Sequence, residues 1–376
     1  LDIRAEGVRP LRSLDDAVGV AGEVANGRVD LGEGDAEGLH APSISGARGR
    51  GHTRSVRMAV LMLWIDPVAL GEAASAPGHI LSNVEDWWRV WNLEPFFLVP
   101  ALTGVALYTR GLWRWRERSR AHPWWRSALF YLGMLTLFAA VNSPLHVLAE
   151  RHLSSPMAQP LLVMTAGVPL ILLGAPTTPV LRGLPRVVRR NVFAPLAGDP
   201  LVRRAFGWLT HPMTALVVSS VVLVAWHVVP GWYDLAAANA SVHEVQHLSF
   251  LFTSGLFWWN VIDPAPLHAR LGHLLRIVYI VAQGTVSSIL AAFITLADRP
   301  LYQFYVDATP VFPISVMDDQ QLGGLLMWIP GQTLDLIVIG VLFSVWWQQM
   351  AARQREDDER DALAAAEARA RRTPAS

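Results

Sequence analysis

The chain is 376 residues long, and 52% of its residues are hydrophobic whereas only 16% are charged. Soluble domains carry about 25% charged residues, so this composition argues against an ordinary soluble enzyme. The chain has no Cys, which excludes a disulfide scaffold and a thiolate metal site. The formal net charge is zero, but all 31 basic residues are Arg. They cluster between apolar runs, which is typical of membrane loops and argues against binding of nucleic acid.

Two segments precede the first long apolar stretch. Residues 1–57 are rich in Gly, Asp, Glu and Arg and contain no Phe, Trp or Tyr, so we predict disorder there. The first Met is Met58, and we therefore expect residues 1–57 to be an extension outside the functional protein. Residues 58–94 begin with a short apolar run and continue with an A-x-A pattern at 74–76. This combination is typical of a signal-like or interfacial segment.

Seven apolar stretches follow, and most approach the roughly 20 residues that a membrane-spanning helix needs. No alternation of apolar and polar residues is long enough to predict a strand instead. We therefore predict an all-α fold, a polytopic integral membrane bundle of about seven transmembrane helices at 95–347 with a charged cytoplasmic tail at 348–376. The stretches are 95–111, 127–145, 158–176, 212–229, 247–263, 274–296 and 323–347.

The positions of the Arg residues predict the orientation of this bundle. The loops after the first, third and fifth predicted helices and the C-terminal tail are rich in Arg, whereas the other loops carry one Arg or none. Because Arg-rich loops stay in the cytoplasm, we predict that the N-terminal side of the first helix faces outward and that the C-terminus is cytoplasmic. Five His residues are then expected at the outer face: His146, His152, His227, His243 and His247.

Two of these His residues have the spacing of metal ligands. His243 and His247 are four residues apart on a predicted helix, so they share one face and can bind one ion. Met327 follows Asp319 about two helical turns deeper, and its thioether suits reduced copper. We therefore predict a metal site from His227, His243, His247 and Met327, with copper as its ion. The alternatives are hydrogen-bonding His residues in wet loops and a Met that only packs between helices.

The same segment also fits an enzymatic motif. Residues 243–247 read HEVQH, the H-E-x-x-H pattern of zinc peptidases, in which Glu244 would be the general base. Ser241 and Glu244 form an S-x-x-E pattern as well, which predicts a capping box at the helix start and a structural role for Glu244. No clear acidic third ligand follows downstream. An intramembrane zinc peptidase is therefore the enzymatic alternative to a protein without catalytic activity.

Asp318 and Asp319 precede the seventh stretch and are expected to cap that helix.

Other polar residues allow a third interpretation. A small-molecule or metal permease would place polar residues near the bilayer midplane. Uncharged residues of this kind are more often hydrogen-bonding contacts between helices. The candidates in the sixth stretch are Gln283, Thr285, Ser287 and Ser288.

Several segments resemble the CtaG family of assembly factors for caa3-type cytochrome c oxidase. The similarity is clearest at 226–259 (WHVVPGWYDLAAANASVHEVQHLSFLFTSGLFWW), 298–305 (DRPLYQFY) and 318–331 (DDQQLGGLLMWIPG), and weaker at 94–112 and 169–176. The resemblance implies a non-enzymatic, multi-pass protein of the bacterial cytoplasmic membrane. Its expected partners are cytochrome c oxidase subunits and the lipid bilayer, and its expected role is to assist maturation of the copper centres.

One segment departs from the family pattern. Many relatives resemble H-M-x-Q-H at the start of the third membrane helix, but residues 156–160 read PMAQP here, with Pro at both His positions. A copper site built on that His pair cannot form in this chain. The resemblance therefore supports a metal role only for His227, His243 and His247.

Overall fold

The computed structural model describes residues 95–115, 122–264, 271–308 and 310–372, together with Trp88, Trp91 and Leu93. These residues form helices and no strand, which confirms the predicted all-α fold. The extension predicted at 1–57 lies outside the described residues, as do all but three positions of the segment at 58–94.

Each of the seven apolar stretches overlaps one long helix. The main helices of the described ranges are α1 (Pro95–Arg114), α2 (Trp124–Asn142), α3 (Ser154–Leu173), α4 (Pro200–Leu209), α5 (Pro212–Val228), α6 (Trp232–Ala238), α7 (Ala240–Ile262), α8 (His273–Thr295) and α9 (Val316–Arg372). Shorter helical segments lie between them at Leu145–Ala149, Thr177–Gly183, Arg186–Val188, Arg189–Phe193, Ala194–Gly198 and Gln303–Val306.

The number of membrane spans is lower than seven when length and hydropathy are judged together. Five helices qualify among the described residues: α1, α2, α3, α8 and the N-terminal part of α9. A sixth span results if α4 and α5, which meet at a bend of 65°, cross the membrane as one broken helix. α7 is 23 residues long but does not qualify. The count of seven and the orientation therefore stay predictions.

α7 carries too many polar side chains to qualify as a membrane span. Most of these polar side chains lie on the face of the helix that is buried in the bundle. α7 packs against α3, α5, α6 and α8. Its buried side chains include five polar ones: Gln246, His247, Thr253, Ser254 and Asn260. The same helix joins two apolar clusters, since Phe250 belongs to one and Phe257 and Trp258 belong to the other. A helix that is surrounded by other helices can carry polar groups, because protein partners replace the water that lipid lacks.

A distortion of α3 contributes to this packing. The helix widens into a π-helical turn at Leu162–Gly167, directly after Pro160. The carbonyl oxygen of Met164 in this turn accepts hydrogen bonds from Ser254 Oγ at 3.1 Å and from Trp258 Nε1 at 2.7 Å. Both donors belong to α7. A π-helical turn interrupts the regular hydrogen-bond ladder, and here the carbonyl at the interruption holds α3 against α7.

α1 is held against the helix Thr177–Gly183 by two close glycine contacts. A Cβ atom at Gly111 would overlap the carbonyl group of Pro179, and one at Gly183 would overlap the carbonyl group of Leu107. Small residues allow two helix backbones to approach in this way in membrane proteins.

The outward faces of the bundle are apolar. Leu135 on α2, Val221 on α5, Val278 on α8 and Ile337 on α9 are each more than half exposed. Apolar surface of this extent marks a contact with lipid or with protein, and it is consistent with a membrane bundle.

Candidate functional site

The His243–His247 pair lies in the first two turns of α7. This helix begins at Ala240, and Asn239 caps it by accepting a hydrogen bond from the Val242 amide at 3.1 Å. The predicted capping box with Ser241 as the first cap residue is therefore wrong, because Ser241 already lies inside the helix. An Asn side chain caps a helix as well as a Ser side chain does.

The two imidazoles are in direct contact. His243 Nε2 lies 2.9 Å from His247 Nε2, and the His247 side chain is buried. A metal ion with bonds of about 2.0–2.1 Å in tetrahedral geometry holds two nitrogens about 3.3 Å apart. A small separation of the rings, with the bridging proton moved from Nε2 to Nδ1 of the same imidazole, would therefore allow both Nε2 lone pairs to bind one ion.

A third imidazole completes this cluster. The ring of His146, in the short helix Leu145–Ala149, lies 5.5 Å from the ring of His243 between centroids. The ring of Phe97 covers His247 at 6.0 Å. His247 Nδ1 is buried, and no residue of the described ranges forms a hydrogen bond with it. Those ranges contain no set of three or more His, Cys, Asp or Glu side chains arranged to hold a metal ion. The cluster offers imidazole nitrogens but not a closed coordination shell.

His227 lies in a different place. It is buried at the end of α5, with its ring 5.4 Å from that of Tyr233. Its Nδ1 lies 2.7 Å from the carbonyl oxygen of Leu223. Because a carbonyl oxygen only accepts, Nδ1 carries the proton and Nε2 keeps its lone pair. His227 lines a central cavity that Met327 also lines and that neither His243 nor His247 reaches.

This cavity has a volume of about 100 Å³ and is lined by residues of α3, α5, α7, α8 and α9. Three thioethers line it, from Met157, Met164 and Met327. Its polar lining includes Ser219, Gln283, Ser287, Gln332 and Asp335. The structure thus divides the four predicted ligands into the adjacent pair His243 and His247 and the cavity residues His227 and Met327.

Two of the residues considered for a permease line this cavity, Gln283 and Ser287. Gln283 Oε1 accepts hydrogen bonds from Ser219 Oγ at 3.1 Å and Ser220 Oγ at 2.8 Å. Thr285 instead donates to the carbonyl of Val281 in its own helix. Gln283 therefore connects α8 to α5, as expected for a polar contact between membrane helices.

Asp318 and Asp319 have different roles although they are adjacent. Ser315 caps α9: its Oγ accepts a hydrogen bond from the Asp318 amide at 3.1 Å and donates one to the Asp318 carboxylate at 2.7 Å. Asp319 caps α3 instead: its carboxylate accepts hydrogen bonds from the Leu153 amide and the Ser154 hydroxyl. Leu153 precedes α3 and cannot cap that helix itself. The expectation that both carboxylates cap α9 is therefore wrong: the Asp318 carboxylate only accepts from the capping Ser315 hydroxyl, and Asp319 caps α3.

Three segments that carry the family resemblance, 226–259, 298–305 and 318–331, contact one another. The Leu301 amide donates to Gln320 Oε1 at 2.8 Å, and the Phe304 amide donates to Asp234 Oδ1 at 3.1 Å. Burial raises the pKa of the Tyr305 hydroxyl, and the nearby Asp319 carboxylate raises it further. Tyr305 therefore remains protonated and donates to the Ala149 carbonyl at 3.0 Å.

His152 belongs to the same framework. Its Nε2 accepts hydrogen bonds from the amides of Val311 and Phe312, at 2.9 and 3.2 Å. Its Nδ1 lies 3.7 Å from the Asp319 carboxylate. Both ring nitrogens face protein groups, so His152 has a structural role.

Sequence reasoning missed two residues of these sites. Asp335 is the only charged residue of the seventh apolar stretch, and that isolation was the available signal. His146 is predicted at the outer face, but its proximity to His243 depends on how the short helix Leu145–Ala149 lies against the start of α7. No local spacing could have shown it.

The family described as cytochrome c oxidase caa3 assembly factor (Caa3_CtaG) matches residues 106–349. This chain belongs to that family. Among curated proteins, an uncharacterized protein of Mycobacterium leprae is 25% identical over 282 residues, which are 71% of this chain and 41% of that protein. Uncharacterized proteins of Mycobacterium bovis and Mycobacterium tuberculosis are each 26% identical over 280 residues, 72% of this chain and 42% of theirs. The chain thus spans less than half the length of these relatives. No solved structure matches it.

Proposed function

We propose that this member of the Caa3_CtaG family assists assembly of a caa3-type cytochrome c oxidase by binding copper as cargo at the His243–His247 pair. Family membership supports the assembly role. The observation that supports the copper step is the contact of two imidazole nitrogens at 2.9 Å, next to the ring of His146. The proposed location is the bacterial cytoplasmic membrane, and the proposed partners are oxidase subunits.

The His cluster suits temporary binding of copper. Two or three imidazoles without a carboxylate form a site with few ligands, so a recipient protein can supply the remaining ones and remove the ion. Imidazoles must be neutral to bind a metal. Burial lowers the pKa of the His243 imidazole from about 6.5 to about 4, so copper affinity is expected to hold near neutral pH and to fall only as the pH approaches the lower value.

Copper binding by the purified full chain in detergent tests this proposal. The double substitution His243→Ala/His247→Ala should remove the copper bound by the pair, under reducing conditions. His211→Ala is the matched control, because His211 is exposed at the opposite end of α5 from His227. Equal copper content and affinity in the double variant and the wild type would refute the pair as a copper site.

The zinc-peptidase alternative makes a different prediction for Glu244. A peptidase needs this carboxylate as the general base, whereas a copper carrier does not. Under the assembly proposal, Glu244→Gln retains copper binding and supports oxidase assembly. Loss of a measurable proteolytic activity in Glu244→Gln, with copper binding unchanged, would favour the enzyme.

A further inference from the structure

We propose that the central cavity is a second site, inside the membrane bundle, for a soft monovalent cation, copper(I). The thioethers of Met157, Met164 and Met327 and the imidazole of His227 would bind the ion, and the Asp335 carboxylate would balance its charge. This site is separate from the His243–His247 pair. The inference rests on the proposed function only for the identity of the cargo.

Asp335 places a carboxylate in the lining whose charge a bound cation would offset. Asp335 lies among apolar residues of a helix that qualifies as a membrane span. No Arg lines the cavity, and Asp335 forms no ion pair with any residue of the described ranges. A carboxylate inside a membrane bundle is costly unless a positive partner offsets its charge. A bound cation is the partner that this cavity can admit.

The soft character of the lining selects the kind of cation. Three of the nine Met residues of the chain line this one cavity. Met157 on α3 packs against Gly323 on α9, because its Cγ lies 3.2 Å from the place that a Cβ of residue 323 would take. Gly323 lies one helical turn before Met327, so the two thioethers come from neighbouring parts of α3 and α9. Thioethers bind copper(I) in preference to hard cations. His227 adds the free lone pair of Nε2.

The lining of the cavity is mainly apolar but includes several polar side chains. Cavities that stay empty in proteins are apolar, whereas polar ones hold water or ions. Ser219, Gln283, Gln332 and Asp335 all line this one. A volume of about 100 Å³ exceeds the roughly 10–15 Å³ that a single water needs by this measure. An ion with one or two waters therefore fits.

The close approach of α8 and α9 holds the carboxylate in place. A Cβ at Gly284 would lie 2.8 Å from Asp335 Oδ2, and the Gly284 carbonyl accepts a hydrogen bond from Gln332 Nε2 at 3.0 Å. The absence of a side chain at position 284 leaves the space that the carboxylate uses. α8 and α9 thus fix Asp335 at the cavity.

Silver(I) is a redox-inert probe for this site. Binding of silver(I) to the purified full chain is measured in detergent by competition with a chromophoric chelator. Met157→Leu/Met327→Leu, which conserves volume, should raise the Kd of the cavity site at least tenfold, and Asp335→Asn should raise it as well. Met213→Leu is the control, because Met213 is exposed on α5 and does not line the cavity. An unchanged Kd in the double Leu variant would overturn the proposal.

A measurement on the wild type avoids dependence on the folding of variants. With 13C-labelled Met methyl groups, silver(I) should shift the NMR signals of Met157, Met164 and Met327 and leave that of Met213 unchanged. Unshifted cavity signals would overturn the cavity site.

The His pair provides a comparison that separates the two proposals. His243→Ala/His247→Ala should retain silver binding in the cavity. If this variant loses all bound silver while the double Leu variant loses none, the cavity proposal fails and the proposed function stands. If only the double Leu variant loses silver, the cavity site stands and the His pair fails.

Discussion

The cap that Asp319 provides for α3 can be tested by comparison with its neighbour. Asp319→Ala removes the acceptor of hydrogen bonds from the Leu153 amide and the Ser154 hydroxyl. Asp318→Ala removes an exposed carboxylate that accepts a hydrogen bond from the Ser315 hydroxyl, and it leaves the bond from the amide of residue 318 to Ser315 Oγ in place. The two substitutions change the same residue type at consecutive positions, but only Asp319 is buried and caps a helix through its carboxylate.

The expected loss of stability follows from these contacts. Leu153 is 2% exposed, so its amide would be left buried without a partner, which costs about 1–3 kcal/mol. The lost interaction of the carboxylate with the start of α3 contributes a further loss of at most about 2 kcal/mol. Relief of the desolvation of Asp319 offsets part of this sum. We expect a loss of about 3 kcal/mol for Asp319→Ala and of about 1 kcal/mol for Asp318→Ala.

Unfolding by SDS in mixed micelles measures both free energies. Asp319→Asn should lie between the wild type and Asp319→Ala, since an amide oxygen can still accept one hydrogen bond. Should Asp319→Ala destabilise the protein no more than Asp318→Ala does, the cap between α9 and α3 would contribute nothing to stability.

Three further predictions concern packing, orientation and the N-terminal segment. Gly111→Ala should destabilise the bundle by at least 2 kcal/mol in the same SDS assay, because its Cβ would overlap the backbone of Pro179, whereas Gly104→Ala, which meets nothing within 4 Å, should be neutral. Equal stabilities would contradict this packing. Reporter fusions should place Arg189 in the cytoplasm and Ala238 outside, and a cytoplasmic Ala238 would reverse the orientation of the His cluster. A chain that begins at Met58 should insert and function normally, and failed insertion would assign a role to residues 1–57.

The helices could be predicted because they depend on local patterns. Long apolar runs bounded by Arg-rich loops mark helices in a membrane bundle, and all seven stretches overlap helices. The span count could not be derived in the same way. α7 carries Gln246, His247 and Asn260 in its buried face, and the helices that bury them come from distant parts of the chain. A hydropathy pattern contains no information on those neighbours.

The same distinction applies to the sites. The contact of His243 with His247 follows from a spacing of four residues in one helix, so the sequence predicts it. The positions of His227 beside the cavity and of His146 beside His243 depend on how distant segments pack. Asp319 illustrates the limit most clearly, because a carboxylate at a helix start usually caps its own helix. Here it faces Leu153, 166 positions away in the chain.

The central claim is that this chain supplies copper to a caa3-type oxidase, and the copper content of that oxidase tests it directly. In a host that has the oxidase, the gene is deleted and copper is measured per haem a in the purified enzyme. We predict that deletion lowers this ratio, that the wild-type chain and His211→Ala restore it, and that His243→Ala/His247→Ala does not. An oxidase with its full copper content in the deletion strain would contradict the account.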